Sequence, residues 1–501
     1  MMRIRRKHGS RRRRGRTAAG ITGLLLAGWL AGCGVLPVKD AGTPAGTPNG
    51  LSELERFIAD GQWDQGQAFS FPETQEMILP NGLQVVVVEK HDIPMVYARA
   101  QIRGGSIYDP PEQSGLAYLT GWVLTEGTES YPDAVIDEEM DRHGAVVTSV
   151  AYNESCIATL TCLAQDTGTL FPYFAEILSR PAFDPDVLEE SRRYLIGDLM
   201  RNADDPGDVC FRVFRHEVFQ GHPYEKQQTG TIEGLEKIRR EDVIRFYETY
   251  YRPDRAALVI VGDITADRVF RLCREHLESW RPSGKPLPIV QPPRPVEGTR
   301  ITLVDMPTAQ AQIMMGHVGI NRTNPDRFKL DVVNKILGGG GLYTRLAEEV
   351  RVKRGLTYGI YSYFARREYT GEFMVSTFTK AESARETIEV CLDELRRIRR
   401  EPVSAEELEA AKMSLIGSHP LGYEQYEDIA QTLVHMNFYG LPMSDVTQYA
   451  DQISAVSRTD VREAARKYIH PDDIVITVVG PADRLKADLE TLGPVDVVAP
   501  I

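Results

Sequence analysis

Apolar and polar positions alternate or cluster along this chain in runs that predict strands and helices in mixed order. Residues 83–89 and 96–102 are short apolar-rich runs that predict strands, and 115–125 carries apolar residues at helical spacing. Residues 145–150 and 156–163 flank a polar Tyr152-Asn153-Glu154 step, which predicts a β-hairpin. Helical periodicity follows over 166–179 and 187–202. Helices interspersed with hairpins imply an α+β fold in which helices cover a sheet containing antiparallel strands.

The pattern repeats. Sliding the chain by 218 positions pairs Arg240 with Arg458, Asp242 with Asp460, Val243 with Val461 and Tyr250 with Tyr468. The same shift pairs Pro253 with Pro471, Asp254 with Asp472, Val261 with Val479 and Gly262 with Gly480. Each copy reads as a helix, a Pro-Asp turn and an apolar run, 256–261 or 474–479, short enough to be a buried strand. Between the copies, residues 281–298 hold six prolines, which neither a helix nor a central strand accommodates. The expected organisation is therefore one α+β unit over 51–280, a proline-rich linker over 281–299 and a second copy over 300–501.

The first fifty residues differ in kind. Nine basic and no acidic residues precede an apolar stretch over 21–30, too short to span a bilayer, and then Leu30-Ala31-Gly32-Cys33. This is similar to a bacterial lipoprotein signal over 1–32, with Cys33 as the lipidated first residue of the mature chain. A Gly/Pro/Thr-rich tether over 33–50 follows. The alternative is an uncleaved anchor with an incidental cysteine. With Gly34 after the cysteine, the signal implies a lipid anchor in the cell envelope, in the outer membrane; the periplasmic face is expected, with the opposite face as the alternative. Loss of the nine basic leader residues leaves 49 basic against 71 acidic, a net charge of about −22. Nucleic acid is thereby excluded as an expected partner. Five cysteines remain, at 156, 162, 210, 273 and 391, an odd number at wide spacing that predicts buried thiols rather than a disulfide framework.

Several short motifs occur in a fixed order. Leu79-Pro80-Asn81-Gly82-Leu83, Gly104-Gly105-Ser106 with Asp109, Gly115-Leu116-Ala117 and Glu126-Gly127-Thr128 open the first copy. Phe183-Asp184-Pro185, His222-Pro223-Tyr224 and Val261-Gly262-Asp263 continue it. The second copy has Leu337-Gly338-Gly339, Arg345-Leu346 and Arg354-Gly355-Leu356-Thr357-Tyr358. Together these resemble the insulinase/pitrilysin family of zinc peptidases over residues 75 to 485. The resemblance implies two homologous domains of a helix-covered mixed sheet.

In that family an H-x-x-E-H helix binds zinc through two histidines one turn apart, its glutamate activates water, and a distal glutamate completes the site. The matching positions here read Tyr118-Leu119-Thr120-Gly121-Trp122, with Asp198 at the distal glutamate and Ser191 at a supporting one. Indole has no lone pair for a metal, and one carboxylate cannot hold zinc, so Tyr118, Gly121, Trp122 and Asp198 mark a degenerate site with no metal expected. Tyr118 and Trp122 are expected to fill the vacated cleft. His216-Glu217 with His222 shares letters with a metal motif, but its histidines are six apart and Gly221 is expected to end the helix first.

Arg351 and Tyr358, seven apart, match the pair by which one chain of two-chain family members reaches substrate bound to the zinc of the other. The bland alternative is packing for Tyr358 and an ion pair with Glu348 for Arg351. The resemblance, to the Arg/Tyr-bearing chain of bacterial pairs and to the alpha subunit of mitochondrial processing peptidase, implies a noncatalytic subunit. Its partner would be an HxxEH-bearing paralogue carrying the Zn, and the pair would cleave peptides in the envelope. The alternative from another class is a non-proteolytic scaffold or peptide-binding protein of the same fold.

Overall fold

The computed structural model describes residues 70–500, so the expectations for the leader, Cys33 and the tether fall outside the described residues. Six strands form the first sheet: β1 (Gln75–Ile78), β2 (Gln84–Glu89), β3 (Met95–Arg103), β4 (Val146–Ala151), β5 (Ser155–Leu163) and β6 (Ala256–Gly262), in the order β1-β2-β6-β3-β5-β4. β4 and β5 pair antiparallel from Val146↔Thr161 to Ala151↔Cys156, around the expected turn at 152–154. The second half contributes β7 (Arg300–Asp305), β8 (Gln310–Val318), β9 (Ile320–Asn321), β10 (Ile360–Phe364), β11 (Arg366–Arg367), β12 (Glu372–Lys380), β13 (Val475–Gly480) and β14 (Val495–Val498). Its main sheet runs β10-β12-β8-β13-β7-β14, while β9 and β11 pair separately.

The duplication is visible in the pairing. β2 runs parallel to β6 and β6 antiparallel to β3; β7 runs parallel to β13 and β13 antiparallel to β8. The helices Arg240–Tyr250 and Arg458–Tyr468 have the same length and a constant offset in the chain. The sixth strand breaks the symmetry: β1 joins antiparallel from the N-terminal side, β14 parallel from the C-terminal side.

Each sheet is covered on both faces, which is why β6 and β13 are apolar and buried along their whole length. Alternation along the strands sends Val85, Val87, Leu258 and Ile260 to a core shared with helices of the first half. Val86, Val88, Val259 and Val261 point the other way, against Ile429, Ala430, Leu433 and Val434 of the helix Tyr426–Tyr439, which belongs to the second half. The reciprocal arrangement also holds. Val209, Cys210, Val213 and Phe214 of the first-half helix Pro206–Val218 pack on Val304, Met314, Met374, Val475 and Val479 of the second sheet. A Cβ on Gly316 would lie 1.9 Å from Phe373 O of β12 and 3.0 Å from the tip of the Phe214 ring, so both the neighbouring strand and this helix crowd the position. The two copies thus exchange one helix each. Residues 281–299, which contain no helix or strand, divide the chain but not the packing.

All five described cysteines are buried and free. Among the described residues no helix is long and apolar enough to cross a membrane.

Candidate functional site

The helix Leu116–Trp122 carries the positions expected to be a degenerate zinc site. Gly115 begins it with φ 102°, and the Asp109 carboxylate accepts from the backbone N–H groups of Gly115 and Ala117, each at 2.8 Å. These are the donors a helix N-terminus leaves without partners. Burial pushes the Asp109 carboxyl up to about 7 against the opposing effect of those N–H groups.

Gly121 faces β4. A Cβ at this position would stand 2.8 Å from the backbone nitrogen of Ala151 and 2.9 Å from its Cβ. A side chain at this position, the one expected to match the family's catalytic glutamate, would therefore meet the backbone of β4. Tyr118 stands three residues before Gly121 and Trp122 directly after it; their rings lie 6.4 Å apart, and Trp122 stacks on Tyr194 at 5.3 Å with planes 24° apart. The Arg201 guanidinium lies over the Tyr194 ring at 5.9 Å. Burial, with the nearby Asp198 charge second, pushes the Tyr118 hydroxyl up to about 12. Tyr118 and Trp122, expected to fill the cleft, lie half-buried beside one another. Tyr194 completes the aromatic group and was not anticipated, although it precedes Asp198 by four residues on the helix Pro185–Asn202 and so shares its face.

Asp198 is engaged within its own helix, accepting from Arg201 Nη2 at 3.0 Å and Asn202 Nδ2 at 3.3 Å. Ser191 is buried. Among the described residues no group of three or more His, Cys, Asp or Glu side chains is placed to hold a metal ion. His216 is exposed on the helix Pro206–Val218, which ends before His222. The His222 ring is buried, with Nδ1 accepting from the backbone N–H of Tyr224 at 3.1 Å, and burial lowers it to about 4. The two histidines thus lie on different elements.

Arg351 and Tyr358 meet. A π-helical turn, Ala347–Val352, places the Arg351 guanidinium 4.6 Å from the Tyr358 ring centroid. Tyr358 is 77 % exposed, which excludes the packing role. Arg351 makes no ion pair among the described residues, and Glu348 lies near Lys353 instead, at 3.9 Å. The loop beneath Tyr358 is fixed: the Thr357 hydroxyl accepts from Gly359 N–H at 3.1 Å and from the Thr377 hydroxyl of β12 at 3.1 Å. A cation and a phenol are thus held together at the surface on an anchored segment.

A duplicated, helix-covered mixed sheet with a closed helix at 116–122 and an exposed Arg/Tyr pair defines a peptidase-like chain. The chain belongs to the insulinase family, peptidase family M16: residues 84–231 match "Insulinase (Peptidase family M16)" and residues 237–415 match "Peptidase M16 inactive domain". It is 24 % identical over 412 residues to a protein of Streptomyces coelicolor called an uncharacterized zinc protease, covering 80 % of this chain and 88 % of that one. It is 23 % identical over 420 residues to the "Non-peptidase homolog YmxG" of Helicobacter pylori, covering 83 % and 95 %. A solved structure described as the peptidase M16 inactive domain from Pseudomonas fluorescens is similar at 28 % identity and a TM-score of 0.77, covering 82 % of this chain and 98 % of that one. Relatives are thus named both as proteases and as non-peptidases, and the side chains of this chain must decide between those readings.

Proposed function

We propose that this protein is a noncatalytic subunit of a two-chain M16 zinc endopeptidase acting on peptides in the bacterial envelope. The observation that carries this reading is the packing at Gly121, where β4 leaves no room for the side chain that would activate water. Tyr118, Trp122 and Tyr194 fill the adjoining space with rings that offer a metal no imidazole or carboxylate. The exposed, anchored Arg351/Tyr358 pair supports the second part of the reading. Among the described residues Arg351 makes no ion pair and Tyr358 is exposed, so the pair suits donation to a substrate carbonyl held elsewhere. The zinc and the activated water would come from an HxxEH-bearing paralogous partner, and this chain would close the chamber around the peptide.

Affinity purification from the native envelope tests this. The expected outcome is co-purification with an HxxEH-bearing chain, stoichiometric zinc assigned to that chain, and peptide cleavage only by the pair. Near-equimolar zinc in this chain alone, lost on Asp198→Ala, would overturn the reading. Recovery with partners that carry no peptidase motif would favour the scaffold alternative.

A further inference from the structure

Two half-buried basic side chains, His435 and Arg322, converge where the two halves exchange helices, and a third, Arg99, lies on the strand face packed against the same helix. Arg99 lies on β3 on the same face as Tyr97, toward the helix Tyr426–Tyr439. His435 lies on that helix, and Arg322 follows β9 in the second half. The Tyr439 ring joins the last two: its centroid is 6.1 Å from the His435 ring and 5.7 Å from the Arg322 guanidinium. Burial, and then the charges of Arg322 and Arg99, hold His435 down at about 3, so its imidazole is neutral.

The acids whose charges reach Arg322 are already engaged. Asp331 accepts from Arg366 Nη2 at 2.5 Å. Glu154 accepts from the Tyr224 hydroxyl, from the Tyr439 hydroxyl at 2.9 Å and from Glu368 N–H at 2.7 Å, and feels Arg367 beside it. Among the described residues the Arg322 and His435 side chains have no hydrogen-bond partner and Arg322 has no ion pair. Arg99 Nε is buried without a partner, and its Nη1 reaches only the Tyr97 hydroxyl, at 3.4 Å. A cation withdrawn from water without an anion is costly; burial lowers the pKa of the Arg322 guanidinium, and Arg99 Nε is buried without a partner, in a chain with 71 acidic and 58 basic residues. A guanidinium fork is matched by two oxygens of a carboxylate or a phosphate, and a neutral imidazole can donate one further bond.

We propose that Arg99, Arg322 and His435 form an oxyanion-binding site that takes the carboxylate or phosphate group of a ligand at the junction of the two halves. The site requires neither a metal nor a second chain, so its failure and the failure of the peptidase-subunit reading are separate events.

The test titrates the mature protein with inorganic phosphate, and with a short acetylated peptide bearing a free or an amidated C-terminal carboxyl, at constant ionic strength set with chloride. Thermal midpoint and the His435 imidazole resonances are read together, the latter assigned with His435→Gln. The expected result is a saturable rise in midpoint with phosphate or with the free-acid peptide, and an upward move of the His435 titration. Arg99→Gln and Arg322→Gln should each weaken binding by about tenfold or more, as for loss of charge-assisted hydrogen bonds. Arg245→Gln, at an exposed helix position, should leave it unchanged. A response to the free acid that vanishes in the amide assigns a peptide carboxylate; a response to phosphate alone assigns a phosphorylated ligand. No saturable response beyond chloride, or an equal response in Arg322→Gln, overturns the site. Should Arg322→Gln fail to fold, Arg322→Lys keeps the charge without the fork and should still weaken binding.

Discussion

A side chain at position 121 would begin inside the van der Waals envelope of Ala151, so restoring the letters of a zinc motif cannot restore the site. Tyr118→His, Gly121→Glu and Trp122→His combined should fail to bind stoichiometric zinc. Gly121→Glu alone should destabilise the fold by about 1–3 kcal/mol, the scale of overpacking, measurable by urea unfolding. The absence of histidine at 118 and 122 was legible in the sequence. The closeness of the helix to β4 was not, because it depends on where the hairpin lies in space. Buried histidines give a second residue-level expectation. His317 on β8 donates from Nδ1 to Val318 O at 2.8 Å, and its Nε2 accepts from His470 N–H at 3.0 Å. Burial lowers it to about 4, whereas an unfolded chain takes up that proton near 6.5. The stability this group contributes is present above pH 6.5 and is lost as pH falls from there towards 4. The gap between those two values corresponds to a loss approaching roughly 3 kcal/mol. His222 and His435, also held neutral, act in the same direction. Urea midpoints at pH 7 and pH 4.5 should show the decline, and His317→Gln should flatten it.

Among the elements, the exchanged helices set how the halves depend on one another. Phe214 is fully buried in the core of the second sheet, although it belongs to the first half of the chain. Phe214→Ala should cost about 3–5 kcal/mol, and Leu433→Ala, its counterpart on the first sheet, about 2–5 kcal/mol. If the halves unfold as one unit, each substitution shifts a single transition seen by probes in both halves; two transitions with only one shifted would show that the exchange does not couple them. The strands β6 and β13 were legible as short apolar runs, and the repeat aligned the helices Arg240–Tyr250 and Arg458–Tyr468 residue for residue. The helix Pro206–Val218 was not read in advance, although Asp205-Pro206, with Asp205 accepting from Asp208 N–H at 2.9 Å, marks its start and the stripe of Val209, Cys210, Val213 and Phe214 forms its apolar face. What the pattern could not supply was the surface that stripe covers. Its partners lie roughly a hundred residues or more along the chain, and local periodicity carries no address.

For the whole molecule, the expected consequence of the proposed function is that two residues of this chain set the rate of a reaction whose metal lies in another. Two half-shells enclosing a chamber need an interface of about 2,000 Å² or more to stay together, so assembly should survive single changes outside it. Attack of zinc-bound hydroxide on a peptide carbonyl builds negative charge on its oxygen, which the metal neutralises only in part. A donor aimed at that oxygen in a chamber closed to water is worth roughly 3–4 kcal/mol, or about 10²–10³ in rate. In the single chain the Arg351 guanidinium rests against the face of Tyr358, a contact worth about 0.5–1 kcal/mol at an exposed site, small enough for substrate to displace. Tyr358→Phe keeps the ring beneath that cation and removes only the hydroxyl, so folding and assembly should be unchanged while kcat falls. Arg351→Ala removes a charge that can also hold the substrate main chain, so KM should rise as well. Dimer mass and the partner's zinc content are the controls. Normal assembly with wild-type cleavage in both variants would leave Arg351 and Tyr358 as a surface pair and remove the mechanism in trans.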